Sequence, residues 1–242
     1  MADHQIIELG AVRLAYRSYG DPAAPPLVLL HALGESGADW AEVAPALARH
    51  RRVLAPDLRG HGRSDWPGAY SLELMRDDVL AFLDALGLAG VELVGHSMGG
   101  VVAYLLAQAQ PERVVRLVLE DVPPPFPRER SVTGEPAEPV AFDWAVVAAL
   151  KAQLDEPDPS WRARLGGITA PTLMVAGGPA SHVPQDRIAE MARRIPDCRS
   201  VTIPAGHLVH AARPAEFIRA VEHFLLVETP TPPHAPHAPD TR

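Results

Sequence analysis

The sequence contains very little cysteine and lysine, and the scarcity of cysteine excludes a class of protein. Cys198 is the single cysteine, so no disulfide forms within the chain and a disulfide-stabilised scaffold is excluded. Lys151 is the single lysine among 22 basic residues, which we interpret as the codon usage of a GC-rich genome. The formal net charge is −8 and no basic cluster is present, which argues against nucleic acid as a partner.

Long hydrophobic runs are missing as well. No stretch approaches the roughly 20 consecutive apolar residues that a membrane-spanning helix needs. Residues 1–5 (MADHQ) have neither the basic nor the apolar segment of a secretory signal. We therefore expect a cytoplasmic protein with no membrane partner, whose oligomeric state the sequence leaves open.

Short apolar runs alternate with helix-length segments along most of the chain. Residues 5–9 and 12–19 predict an antiparallel pair of strands, and continuous apolar runs predict parallel strands buried on both faces, at 27–30, 53–55, 91–94, 114–119, 172–176 and 200–203. Helices are predicted between them, at 40–48, 72–86, 98–108, 185–195 and 215–226. The fold class is thus α/β: a three-layer sandwich with a mostly parallel eight-stranded sheet and an antiparallel N-terminal edge.

The alternation stops after the sixth strand. A proline-rich stretch at 122–127 (VPPPFP) leads into polar residues and one helix-like segment at 143–154. We predict a short cap insertion at 122–170, which divides the α/β core into 1–121 and 171–227. Residues 228–242 are proline-rich without periodicity and are predicted to be a disordered tail, in which His234 and His237 are interpreted as solvated side chains.

A G-x-S-x-G pattern at residues 95–99 (GHSMG) lies between a predicted strand and a predicted helix. A sharp turn in this context holds its central serine in a strained backbone, and glycines flank it because a Cβ there would collide with the strand and helix. The pattern by itself also fits an ordinary tight loop. In its context, it makes Ser97 the candidate nucleophile.

Four segments follow one another along the chain: residues 31–34 (HALG), 57–65 (DLRGHGRSD), 95–99, and the pair Gly206-His207. In this order they resemble the α/β-hydrolase family, within a match that runs from about residue 6 to 227. The family order of nucleophile, acid and histidine implies that His207, after the last strand, is the general base. His210, three residues later, is the alternative base.

The resemblance leaves the acid of the triad open. Ala180 stands where most members carry a carboxylate, and Asp186 beyond it is expected to face away. Some members, including one group of haloalkane dehalogenases, carry the acid after the preceding strand, about two dozen residues after the nucleophile. Asp121 fits that place, and strand alternation allows only one of Glu120 and Asp121 to face the histidine. Glu120, a water-assisted dyad, or an orienting role for Ser181 or His182 remain as alternatives.

The remaining expected parts of the site follow from the same resemblance. The backbone N–H groups of Leu33 and Met98 are expected to form the oxyanion hole, near which Ala32 replaces the usual glycine. Packing or backbone positioning is expected for three histidines: His31, His61 and His96. Four side chains are candidates for the substrate pocket: His31, Phe126, Trp144 and His182. No cofactor and no metal is expected.

These residues predict a serine hydrolase that cleaves a small carboxylic ester, lactone or thioester through an acyl-enzyme. A serine at position 97 argues against dehalogenase and epoxide-hydrolase chemistry, both of which use a carboxylate nucleophile there. Two alternatives stay open on this fold. One is a C–C bond hydrolase or a cofactor-free lyase or haloperoxidase-like enzyme, and the other is a ligand receptor or inactive scaffold.

Overall fold

The strands form one sheet, which a computed structural model describes together with its helices for residues 3–129 and 134–226. The strands are β1 Asp3–Glu8, β2 Arg13–Tyr19, β3 Pro26–Leu30, β4 Arg52–Pro56, β5 Val91–His96, β6 Val114–Glu120, β7 Thr172–Ala176 and β8 Cys198–Thr202. Their order across the eight-stranded sheet is β1-β2-β4-β3-β5-β6-β7-β8. β2 pairs antiparallel with β1 and β4, and the pairs from β4 onward are parallel. The predicted fold class is confirmed.

Helices cover both faces of this sheet. The α-helices are α1 Ala44–Leu47, α2 Leu72–Ala85, α3 Met98–Ala109, α4 Ala145–Asp155, α5 Pro159–Ala163, α6 Gln185–Arg194, α7 Val209–Ala212 and α8 Pro214–Leu226. Within the part of the chain that the structure describes, three 3₁₀ turns accompany them, at Asp39–Glu42, Pro111–Arg113 and Arg164–Gly167. None of these helices combines the length and apolar character that a bilayer span requires.

Side-chain alternation along the strands divides the core into two layers. Val28 and Leu30 of β3 pack with residues of α2, α3 and α6 on one face. Leu27 and Leu29 face the other way and pack with Trp40, α1 and α8. β5 is buried along its whole length and is the fifth of the eight strands across the sheet, so its C-terminal end lies near the middle of the sheet. Ligands of open α/β sheets bind outside the carboxyl ends of the strands, so this end is where a site is expected.

One predicted helix is wrong in detail. The sequence predicts a single helix over 40–48, whereas the structure has a 3₁₀ turn followed by the four residues of α1. Pro45 lies inside this stretch and has no N–H to donate to the preceding turn, so one helix cannot run through it. Trp40, in the 3₁₀ turn, is nevertheless fully buried and packs this segment onto the sheet.

The segment predicted as a cap, residues 122–170, docks on the loop that follows β4. The amide of Asp143 donates to the carbonyl of Gly60 (2.8 Å), and the amide of Gly62 donates to the carbonyl of Ala141 (2.9 Å). The Tyr70 hydroxyl donates to the Asp143 carboxylate at 2.6 Å. These contacts hold the start of α4 against the C-terminal edge of the sheet. The predicted tail at 228–242 lies outside the described residues.

Candidate active site

Ser97 lies in the turn between β5 and α3 with a φ of 51° and a ψ of −115°, a backbone conformation that L-residues rarely adopt. Glycines make this turn possible. A Cβ on Gly95 would collide with the Gly99 carbonyl, and one on Gly99 would collide with the backbone of Leu30. The amide of Ser97 donates to the carbonyl of Glu120 at 3.2 Å, which ties the turn to the end of β6. The structure therefore holds this serine in a strained turn at the C-terminal edge.

His207 lies on the loop between β8 and α7, and its Nδ1–H donates to Oδ2 of Asp121 at 2.8 Å. The Asp121 side chain is fully buried, whereas the His207 side chain is 19% exposed. Asp121 also has a positive φ of 51°, a conformation that aspartate tolerates better than most residues. The structure brings together the histidine and the acid that the sequence singles out.

Several donors surround the Asp121 carboxylate. Besides His207, they are the Gly177 amide (2.9 Å), the Ser181 hydroxyl (2.5 Å) and the Gln185 side-chain amide (3.3 Å). Burial opposes ionisation, but the hydrogen bonds from His207, Ser181, Gly177 and Gln185 outweigh it and hold the pKa of Asp121 below its ordinary value. The loop that lacks a carboxylate at Ala180 thus supplies donors to the carboxylate on the neighbouring strand.

Two histidines fix the corner that follows β3. His31 is fully buried, its Nδ1–H donates to the Ala32 carbonyl (2.7 Å), and its Nε2 accepts from the Leu58 amide (2.9 Å). Burial lowers the pKa of His31 to about 3, so it stays neutral. His61 Nε2 accepts from the Gly34 amide at 3.2 Å. Both ring nitrogens of His31 are hydrogen-bonded to the backbone, so this side chain shapes the corner around Leu33.

The other candidate oxyanion donor, Met98, is the first residue of α3 and lies beside Ser97. The first N–H groups of a helix have no partner within it and carry the positive end of the helix dipole, so an anion is favoured there. Leu33 follows β3, the strand that pairs with β5. The sheet therefore brings the two candidate amide-bearing turns to the same edge.

Of the remaining pocket candidates, His182 lies nearest to His207, with ring centroids 4.3 Å apart. Burial, followed by the proximity of His207, lowers the pKa of His182. Trp144 packs against Phe142 with ring centroids 5.9 Å apart, and Phe142 stacks on His61 at 5.6 Å. Phe126 carries the guanidinium groups of Arg128 and Arg187 over its ring, at 4.8 and 4.9 Å. Trp144 thus contacts the corner after β3 through Phe142. Phe126 instead packs against two guanidinium groups.

A second, buried cluster lies behind the site, which the sequence did not indicate. Glu120 and His210 are fully buried, and the Glu120 carboxylate pairs with Nδ1 of His210. Asp39 lies near Nε2, on the opposite side of the His210 ring. Asp39, His96 and His210 each present one ligand atom, all within 4.8 Å of one another, a spacing that a metal ion could bridge. Interactions with Asp39 and Glu120 outweigh burial and raise the pKa of His210 to about 10, which disfavours a metal ion because a ligating imidazole nitrogen carries no proton.

Comparison with known proteins agrees with this architecture. Residues 25–143 match the model of the alpha/beta hydrolase fold. The chain is 31% identical to the sn-1-specific diacylglycerol lipase ABHD11 of Mus musculus over 85% of its own length and 82% of the relative's. A hydrolase from Pseudomonas aeruginosa PA01 shares 30% identity, with a TM-score of 0.74 over 93% of this chain and 99% of that one.

The enol-lactonase from Burkholderia xenovorans LB400 has a TM-score of 0.81 and 26% identity, covering 91% of this chain and 99% of that one. The similarity thus extends across both halves of the sheet, on either side of the cap segment. On the sheet topology, the identity and the extent of these matches, the chain belongs to the α/β-hydrolase family and is an enzyme of the hydrolase type.

Proposed function

We propose that the enzyme is a serine hydrolase that cleaves small carboxylic esters, lactones or thioesters through an acyl-enzyme on Ser97. His207 is the general base and acid in this proposal, and Asp121 orients it. The observation that carries the proposal is the 2.8 Å hydrogen bond between Asp121 and His207, formed at the same sheet edge as the strained turn of Ser97. A serine nucleophile, a histidine base and an orienting acid are the parts used for acyl transfer on several unrelated folds.

The first half of the reaction forms the acyl-enzyme. Nε2 of His207 takes the proton of the Ser97 hydroxyl while Oγ attacks the carbonyl carbon, and the carbonyl oxygen becomes an oxyanion. The amides of Leu33 and Met98 are proposed to stabilise that oxyanion. When the tetrahedral intermediate collapses, the bond to the leaving oxygen or sulfur breaks. The protonated imidazole then gives its proton to the leaving group.

The second half releases the acid product. His207, again neutral, takes a proton from water, and the resulting hydroxide attacks the acyl carbon. Collapse breaks the bond to Oγ, and the proton on His207 returns to Ser97. Asp121 keeps its negative charge throughout, which favours the imidazolium at each step, and its lowered pKa suits that role.

The relatives support this substrate class. The mouse protein is named as a diacylglycerol lipase and the Burkholderia protein as an enol-lactonase, so in both names the bond attacked joins an acyl carbon to oxygen. The proline-rich start of the cap segment, residues 123–125, favours a compact acyl group over a long lipid chain. Short esters are therefore the first substrates to test.

The test is turnover of p-nitrophenyl esters of increasing acyl length by the wild type and by Ser97→Ala. We expect turnover of the short esters, and a loss on the order of 10⁵-fold or more in kcat for Ser97→Ala, because the nucleophile is removed. Rapid quenching followed by intact-mass measurement should trap one acyl group per chain in the wild type only. A wild type that cleaves none of these esters, or a Ser97→Ala variant that retains turnover, would contradict the proposal.

A further inference from the structure

Two acid–imidazole pairs stand side by side at the end of β6. Asp121 binds Nδ1 of His207, and Glu120, one residue earlier, binds Nδ1 of His210, each at 2.8 Å. The first pair belongs to the proposed site and is partly accessible. The second pair is fully buried, so it cannot meet substrate and needs another explanation.

Glu120 connects the nucleophile turn to the histidine loop. Its carbonyl accepts from the amide of Ser97 at 3.2 Å. Its carboxylate accepts both from the backbone amide of His210 (2.9 Å) and from the ring of His210 (2.8 Å). One residue thus holds backbone on both sides of the place where Ser97 and His207 must meet.

His210 is held from its other sides as well. Its Nε2 lies 3.2 Å from Oδ2 of Asp39, and its ring lies against the indole of Trp40 with centroids 4.2 Å apart and planes inclined by 31°. A protonated imidazole between two carboxylates and an aromatic face is an anchor with little freedom to move. The start of α7 is therefore fixed three residues beyond His207.

His96 connects His210 to His207. Its ring lies 5.2 Å from that of His210 and 4.7 Å from that of His207, centroid to centroid. Its Nε2–H donates to the carbonyl of His207 at 2.9 Å. The backbone of His207 is thus supported through His96, and its ring is bonded to Asp121.

We propose that Glu120, together with His210 and Asp39, is a positioning group that holds His207 and Ser97 in register for proton transfer. This inference rests on the proposed function, because it assigns these residues to the same proton transfer. None of the three contacts substrate. Their effect should therefore appear in kcat, with little change in KM.

The matched control is Glu92, another buried glutamate of the same sheet. It lies near the start of β5, is 5% exposed, and pairs with Arg51 at 2.5 Å. Glu92→Gln and Glu120→Gln make the same chemical change in a buried ion pair at opposite ends of the strands. We expect Glu120→Gln to lower kcat about tenfold with KM changed less than about twofold, whereas Glu92→Gln leaves both within about twofold.

A double-mutant cycle separates positioning from general stability. If Glu120 acts through His207, Glu120→Gln should lower kcat by less than about twofold in an Asp121→Asn background, where His207 has already lost its orienting partner. An undiminished tenfold effect in that background would mean that Glu120 acts independently of His207, and would overturn the proposal.

A readout that needs no turnover keeps this inference separate from the proposed function. The Nδ1–H proton of His207 should give a downfield NMR resonance, which Glu120→Gln shifts or broadens and Glu92→Gln leaves in place. Should the wild type cleave no ester, the proposed function fails while this resonance still tests the positioning. If Glu120→Gln does not fold, Asp39→Asn replaces it, with an expected loss of about threefold in kcat. A folded variant with unchanged kcat and resonance would overturn the inference.

Discussion

The two ends of β5 carry buried charge in different chemical forms. At the N-terminal end, Glu92 is neutralised by Arg51, a guanidinium that stays charged at any ordinary pH. At the C-terminal end, buried carboxylates are paired with imidazoles, as in Glu120 with His210. Arginine can hold charge but does not exchange protons, whereas imidazole does both. The carboxylate–imidazole pairs thus lie beside the carboxyl end of β5, next to the turn that carries Ser97.

Backbone strain follows the same division. Among the described residues, the non-glycine residues with positive φ are Ser97 and Asp121, and both lie at the C-terminal edge. Strain of this kind is unfavourable by about 1–3 kcal/mol per residue and persists where surrounding contacts impose it. Here the contacts are the amide of Ser97 on Glu120 and the donors around Asp121. Substitutions at the two ends of the strands should therefore have unequal consequences.

The largest expected difference between the ends is catalytic. Asp121→Asn should lower kcat for a short ester by about 10⁴-fold, because the neutral amide no longer holds His207 in the required tautomer. Glu92→Gln should leave kcat within about twofold. Steady-state kinetics with both variants checks this. Comparable losses in the two variants would remove the catalytic distinction between the ends.

Two glycines, one just before β5 and one in the first turn of α3 after it, allow the packing at the two ends of β5 to be compared. A Cβ on Gly99 would collide with the carbonyl groups of Leu30 and His31, which are backbone atoms and cannot move aside. A Cβ on Gly90 would meet the Val115 side chain at 3.2 Å and the Glu112 carbonyl at an ordinary contact distance of 3.7 Å. Gly99→Ala should lower the free energy of unfolding by about 3 kcal/mol or more, and Gly90→Ala by less than about 1 kcal/mol. Urea denaturation measures both. A tolerated Gly99→Ala would show that the turn is not as tightly packed as described.

The pH dependence of stability should also distinguish the ends. The pKa of His210 is about 10 in the folded chain, above its ordinary value. The protonated imidazole therefore stabilises the folded state. This contribution is complete below about pH 6.5 and is lost as the pH rises through 10. Between pH 7 and 10 the free energy of unfolding should fall by roughly 3 kcal/mol more in the wild type than in His210→Gln. Urea titrations of both chains at the two pH values provide the measurement. Equal pH dependence in the two chains would show that His210 is not protonated at neutral pH.

The smallest of these four effects concerns the hydrogen-bond donors around the Asp121 carboxylate. Ser181→Ala removes one donor from Asp121 but leaves those from Gly177, Gln185 and His207. We expect a loss of about tenfold in kcat, since a hydrogen bond to a charged group contributes about 1.5–3 kcal/mol and the remaining donors compensate in part. Ser160→Ala, in α5 of the cap segment, is the matched control. A loss as large as that of Asp121→Asn would instead give Ser181 a central role.

Local patterns in the sequence predict the strands and the nucleophile turn, because each depends on residues close together in the chain. His207 was predicted from the resemblance to the α/β-hydrolase family, through its order of nucleophile, acid and histidine. Asp121 could be singled out since Ala180 occupies the usual place of the acid, and the structure places Asp121, not Glu120, against His207. The cluster of Asp39, Glu120 and His210 was not predicted, because its members are far apart in sequence and form no recognisable pattern. The signal available was indirect: two adjacent acids, and two histidines three residues apart.

The most direct test of the central claim is the rate at which a fluorophosphonate labels the chain, followed by peptide mapping. The account predicts a single adduct on Ser97, no adduct in Ser97→Ala, labelling about 10³-fold slower in Asp121→Asn, and an unchanged rate in Glu92→Gln. An adduct at another residue, or wild-type labelling by Asp121→Asn, would contradict it.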